Sequence, residues 1–284
     1  MTRLRFASYL APNLRPLYAA VAAFAGRRLG IATELVAGRA PEELVDADVD
    51  VGFLCSPPYI RLRALDGVPV EVLAAPVLQG SRFAGTPVYF SDVIVRRDSR
   101  FRGFADLRGG SWAYNETDSY SGYWAVRRHL AEMNEEGGFF GLVVEAGFHR
   151  RAIRLVAEGR VDAAAIDCQV LELELARQPG LGARLRVIET LGPAPIQPVV
   201  AATRLPESLR GELRLMLREI DRDPVAGPVL VRSLVTRFVS AGDADYDPIR
   251  AALAAAARAP LAPPDVEASA PVEISGPRKR LDLG

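Results

Sequence analysis

The sequence predicts an α/β fold of two lobes with a ligand cleft between them. Three observations carry this expectation. A strand–helix rhythm runs along most of the chain, and such a rhythm implies parallel strands joined by helical crossovers. Two proline-bearing segments, 87–92 and 191–198, interrupt it. The length, 284 residues, suits two lobes of about 100 to 150 residues each.

The elements follow in order. Leu4 to Tyr9 reads as a strand, and Pro16 sits where the first turn of a helix tolerates proline. Leu17, Val21 and Phe24 then recur at helical spacing. After Gly30 come a strand at 33–36, a helix start at Ala40-Pro41-Glu42-Glu43, and an apolar run at 49–54 that ends in Cys55-Ser-Pro-Pro-Tyr59. Past the first break, strands are expected at 93–95, 111–114 and 142–145, with helices from about Ser121 and from His149 to Glu158; Gly159 is the natural cap of the latter. The Ala-rich run 161–166 suits a strand covered on both faces, with Asp167 at its carboxyl end. A strand at 185–188 leads into Gly192-Pro-Ala-Pro-Ile-Gln-Pro198, read as a crossover between lobes. A strand at 199–203, a helix at 206–220 and a last helix at 248–258 complete the pattern. The division is therefore 1–90 with 196–258 for the first lobe and 91–195 for the second. Residues 259–284, proline-rich and poor in large apolar side chains, are expected to form a disordered tail.

Charge and composition exclude several functions. Thirty-five basic residues balance 35 acidic ones, so there is no electrostatic footprint for nucleic acid. Cys55 and Cys168 match no metal spacing and read as small buried residues at strand ends. Neither metal nor cofactor is called for. No apolar stretch reaches the ~20 residues that span a bilayer, and Arg3 and Arg5 interrupt any secretory core. The chain as given is expected to be cytoplasmic, and periplasmic or extracellular only if a leader is missing.

The stretch with most chemistry is Tyr114-Asn-Glu-Thr-Asp-Ser119-Tyr-Ser121-Gly-Tyr-Trp, between a strand and a helix. Ser119 and Ser121 offer hydroxyls, Gly122 lets a ligand approach the backbone, and the helix start supplies N–H groups, which together form an oxyanion cradle. Ser121 could equally well cap its helix and do nothing more.

Several stretches together resemble the phosphonate-binding family of transporter-associated solute receptors: 106–114, Asp118-Ser-Tyr-Ser-Gly-Tyr123, the His149 helix with the Asp167 strand, and Phe238 to Ile249. The resemblance implies a type 2 periplasmic-binding-protein fold that closes around a small anionic ligand, phosphate, phosphonate or a related ester, with an ABC permease as partner. By position it implies a ligand shell of Tyr59, Tyr89, Ser119, Tyr120, Ser121, Gly122, His149 and Asp167. Asp118 before Ser119, and bulky Tyr120 between the serines, depart from the family's hydroxyl-rich cradle and leave a monoanion, a carboxylate or a larger phosphorylated ligand stacked on Tyr120 open. The competing expectation is a cytoplasmic enzyme of the same fold, with His149 as general acid or base beside Asp167 or Glu116.

Overall fold

Alternation of apolar residues in Arg3–Ser8 buries Leu4 and Phe6 and makes β1. Pro16 then opens α1 (Arg15–Leu29), which ends where Gly30 adopts a left-handed conformation. Next come β2 (Ala32–Ala37), β3 (Val51–Phe53), α2 (Ser56–Arg63), β4 (Val70–Leu78) and β5 (Val88–Arg96). The middle of the chain holds β6 (Ser111–Tyr114), α3 (Ala125–Glu132), β7 (Leu142–Glu145), α4 (His149–Ala157), β8 (Ala163–Asp167), α5 (Cys168–Arg177), α6 (Pro179–Arg184) and β9 (Leu185–Pro195). The chain closes with β10 (Val199–Ala202), α7 (Glu207–Glu219), α8 (Gly227–Arg232), β11 (Val235–Val239) and α9 (Asp247–Ala256). The computed structural model describes residues 3–262.

Two sheets result. One has the order β11-β4-β10-β3-β1-β2 and the other β7-β6-β8-β5-β9. The first therefore draws on both ends of the chain and the second on residues 88–195. Neither sheet is all parallel, as the rhythm had suggested. β1 runs parallel to β2 and β3, and β6 runs parallel to β7 and β8, whereas β10, β11, β5 and β9 pair antiparallel with their neighbours. Residues 87–92, read as a break, are mostly strand: Val88 pairs with Pro195 and Tyr89 with Ala194, so the two crossing segments brace each other.

Three other expectations change. The start at Ala40-Pro41 yields only a 3-10 turn, Pro41–Leu44. The sequence reading passed over β4, although seven of its nine residues are Val, Leu or Ala. Residues 259–262 do not begin a tail. Ala259 and Leu261 join an aromatic cluster of Phe104, Trp112, Phe139 and Phe140 on the second sheet, and the backbone N–H groups of Phe139 and Phe140 both donate to the Leu261 carbonyl. With α9 packed on α3, the chain passes a third time from one sheet to the other. The rest of the expected tail, 263–284, lies outside the described residues. Among those residues no helix is long and apolar enough to cross a membrane.

Candidate functional site

The carboxyl ends of β6, β7 and β8 lie at one edge of their sheet because these strands are parallel. Each leads into a helix start. After β6, Ser119 caps a π-helical turn, Tyr120–Trp124, that precedes α3; its Oγ accepts from the Gly122 N–H at 3.2 Å. After β7, Gly147 takes a positive φ of 78° and brings His149 to the head of α4. After β8, Asp167 caps α5, one carboxylate oxygen accepting from the N–H groups of Gln169 and Val170. From the other sheet come Tyr9 after β1 and Cys55 after β3. The crevice beyond strand carboxyl ends is the common ligand position in open α/β sheets, and here two such edges face each other.

Between them lies a cavity of about 40 Å³ whose wall includes Tyr9, Cys55, Asn115, Glu116, Ser119, Ser121, His149, Asp167 and Gln197. Ser121 Oγ lies 3.1 Å from His149 Nε2, and Gln197 Nε2 donates to Asp167 Oδ2 at 2.7 Å. Gly122 is needed for close approach: a Cβ there would stand 1.9 Å from Asn115 Oδ1 and 3.2 Å from His149 Cε1. Asn115 Oδ1 and His149 Nδ1 are buried with no hydrogen-bond partner. Such groups ordinarily find partners, and both belong to residues that line the cavity.

The electrostatics favour a neutral imidazole. Burial lowers the His149 pKa to about 4, with no carboxylate acting on it. Burial likewise raises Asp167 to about 6, against the hydrogen bonds from Val170, Gln197 and Gln169 that lower it. Burial also raises Glu116, with Asp118 adding to the effect, and pushes the Cys55 thiol up to about 12. Asp118 itself turns outward, where Arg61 of α2 clasps it at 2.9 and 3.2 Å. Its charge is thereby matched by a guanidinium. The general acid–base expectation fails on geometry: His149 contacts a serine hydroxyl rather than Asp167 or Glu116, and a base of such low pKa beside a serine with no third, orienting group is poorly suited to proton abstraction.

Of the expected ligand shell, Ser119, Ser121, His149 and Asp167 line this cavity, and Gly122 lies directly behind it. Tyr59 does not. Its hydroxyl donates to Asp243 at 2.6 Å and its ring packs on Tyr246 at 5.1 Å, so it braces α2 against the C-terminal segment. Tyr89 and Tyr120 pack together, rings 6.4 Å apart, along a neighbouring pocket. Sequence reasoning missed Asn115, Gln197, Tyr9 and Cys55. Asn115 stood within the serine-bearing motif, and Gln197, set among prolines in the crossover, carried a signal only in its place there. Cys55, read as a buried residue, is half-buried; its Sγ accepts the Tyr120 N–H at 3.3 Å and ties the two edges together.

The model of the family described as "ABC transporter, phosphonate, periplasmic substrate-binding protein" matches residues 6–246. Solved structures agree in fold. A binding component of an ABC phosphonate transporter from Pseudomonas aeruginosa superposes with a TM-score of 0.76 at 19% identity, covering 88% of this chain and 85% of that one. A Prochlorococcus marinus protein in complex with methylphosphonate gives 0.78 at 16% identity, over 88% and 97% of the two chains. A Xanthomonas citri protein bound to ATP gives 0.68 at 19%, over 90% and 97%. No curated protein matches the sequence. The paired sheets, the serine cradle at their facing edges and a family match over most of the chain make this protein a member of the phosphonate substrate-binding family of ABC transporters.

Proposed function

We propose that the protein holds a small phosphonate, phosphate or related ester in the Ser119–Ser121 cavity and hands it, unaltered, to an ABC permease. The observation that carries this is the convergence on a single cavity of the Ser119 and Ser121 hydroxyls, the Asn115 amide and the His149 imidazole, whose Nδ1 is still unpartnered. Family membership favours binding over catalysis, since its members are transporter receptors. The oxyanion would lie against Ser119, Ser121, Asn115 and neutral His149. Asp167 and Gln197 stand across from them, suited to a hydroxyl or ammonium group on the organic part. Closure excludes water and strengthens charge-assisted hydrogen bonds. The periplasmic character of the family supports work outside the cytoplasmic membrane, against the expectation drawn from the first residues.

Isothermal titration with methylphosphonate, inorganic phosphate, an aminoalkyl phosphonate and acetate tests the ligand class. We expect the phosphorus oxyanions to bind at least about tenfold more tightly than acetate, with each recovered chemically intact. Binding of none of them, or conversion of one to another compound, would refute the reading. Fractionation of the producing cells reports the compartment.

A further inference from the structure

The ligand cavity has a larger neighbour. A pocket of about 300 Å³ lies against β9 and α3, with Tyr89, Tyr120, Arg128, His129, Thr190 and Pro193 among its wall residues. Tyr89 and Tyr120, whose rings pack together, both belong to the wall of the large pocket, and Tyr120 sits in the chain between Ser119 and Ser121 of the small cavity. Tyr89 is 1% exposed, it contributes to the wall of the large pocket and its hydroxyl has no hydrogen-bond partner. That hydroxyl feels Cys55 and Asp167, both of which line the small cavity. Tyr120 packs on Tyr89, and its backbone links Ser119 to Ser121 on the cavity side while its hydroxyl pairs with Arg128 on the pocket side.

We propose that Tyr89, backed by Tyr120, is a size-selecting partition: it confines the ligand to a compact oxyanion and shuts it off from a chamber able to take a ring-sized substituent. The proposal rests on the oxyanion reading of the cavity given above. A site holding a single water needs roughly 10–15 Å³, so about 40 Å³ accommodates the head group of a phosphonate with a short substituent and little else. The chamber beyond reaches the lower end of the range of about 300 to 1,000 Å³ found for small-molecule pockets. Its wall mixes aromatic faces with Arg128 and Glu132, a chemistry suited to a flat, hydrogen-bonding organic group. Tyr89 is held by pairing of its strand with Ala194 of β9, on both sides of the crossing. The partition is thus fixed by the paired crossing strands β5 and β9 and not by a loop.

The test compares methylphosphonate with phenylphosphonate by isothermal titration on the full chain, in wild type, Tyr89→Ala and Tyr89→Leu. The leucine variant keeps apolar packing at this buried position and guards against failure of the alanine variant to fold. Wild type is expected to bind methylphosphonate at least about 100-fold more tightly than phenylphosphonate. Either substitution should narrow that ratio by about tenfold or more, through gained affinity for the phenyl compound. A wild-type ratio within threefold of unity, or an unchanged ratio in a variant that still binds methylphosphonate, overturns the partition and leaves the oxyanion reading intact. Wild type that binds neither compound overturns both.

Discussion

Ser119 and Ser121 each hold one polar partner inside the protein, a backbone N–H and an imidazole respectively, and both retain capacity for a ligand. Hydrogen bonds to charged groups are worth roughly 1.5–3 kcal/mol each, against about 1 kcal/mol for a lost helix cap. Replacing both serines by alanine is therefore expected to weaken methylphosphonate binding at least about tenfold, while the apo melting temperature moves by only a few degrees. Asp167 gives a separate signature. Its folded pKa is raised, so its protonated form is favoured by the fold; the stability it contributes is full below about pH 3.8 and is lost as pH rises through about 6. Asn is also a good cap and has no charge to desolvate. Urea titrations should show Asp167→Asn gaining on wild type between pH 4 and pH 7, by up to roughly 3 kcal/mol, because each pH unit separating the folded and unfolded titrations is worth about 1.4 kcal/mol. A constant difference across that range would mean that the carboxylate titrates normally.

At the scale of elements, local patterning was readable wherever one residue spacing dominates. The strand expected at 161–166 forms as β8, starting two residues later, with Asp167 at its carboxyl end as expected; that Asp167 also caps α5 was not foreseen. Gly159 follows α4 with a φ of 70°. What was hidden depends on distant partners. β4 and β10 are apolar runs whose antiparallel pairing unites residues more than 100 apart, which no window of sequence reveals. In the site the serine motif was legible because hydroxyls, glycine and a helix start coincide within four residues. Tyr59 was misplaced because likeness carries position, not side-chain direction. Gln197 was missed because its role exists only when the crossover meets β8. Leu261 illustrates the same limit: composition put it in a tail, yet it is fully buried against Phe139 and Phe140. Leu261→Ala should thus cost roughly 2–5 kcal/mol in equilibrium unfolding. A cost below about 0.5 kcal/mol would return this segment to the surface.

At the scale of the whole molecule, polar contacts link the two sheets across the cleft. Arg61 of α2 grips Asp118 beside the cradle and also reaches Glu42, Asn13 Nδ2 donates to the Val170 carbonyl, and Gln169 donates to the Ser233 carbonyl. The Arg61 pair is nearly half exposed, so it is worth only about 0.2–1 kcal/mol. A ligand that needs the closed form inherits that small bias. Arg61→Ala is expected to weaken methylphosphonate binding by about twofold to fivefold. Raising the salt to 0.5 M, which screens exposed pairs, should weaken wild type by a similar factor and the variant hardly at all. Equal salt dependence in both proteins would remove Arg61 from closure.

The position of β10 between β3 and β4 has a consequence for how the chain comes to be folded. Its four residues fill the middle of a six-stranded sheet, but they leave the ribosome only after the whole of the other sheet has been made. Until then β3 and β4 each carry an unpaired edge, the kind of surface that invites pairing with another chain. The five strands within 88–195 can meanwhile pair from contiguous sequence, although their aromatic cluster still waits for Ala259 and Leu261. Synthesis thus completes the sheet that carries the cradle first and leaves the other sheet open, with its strand edges dependent on a segment still to come.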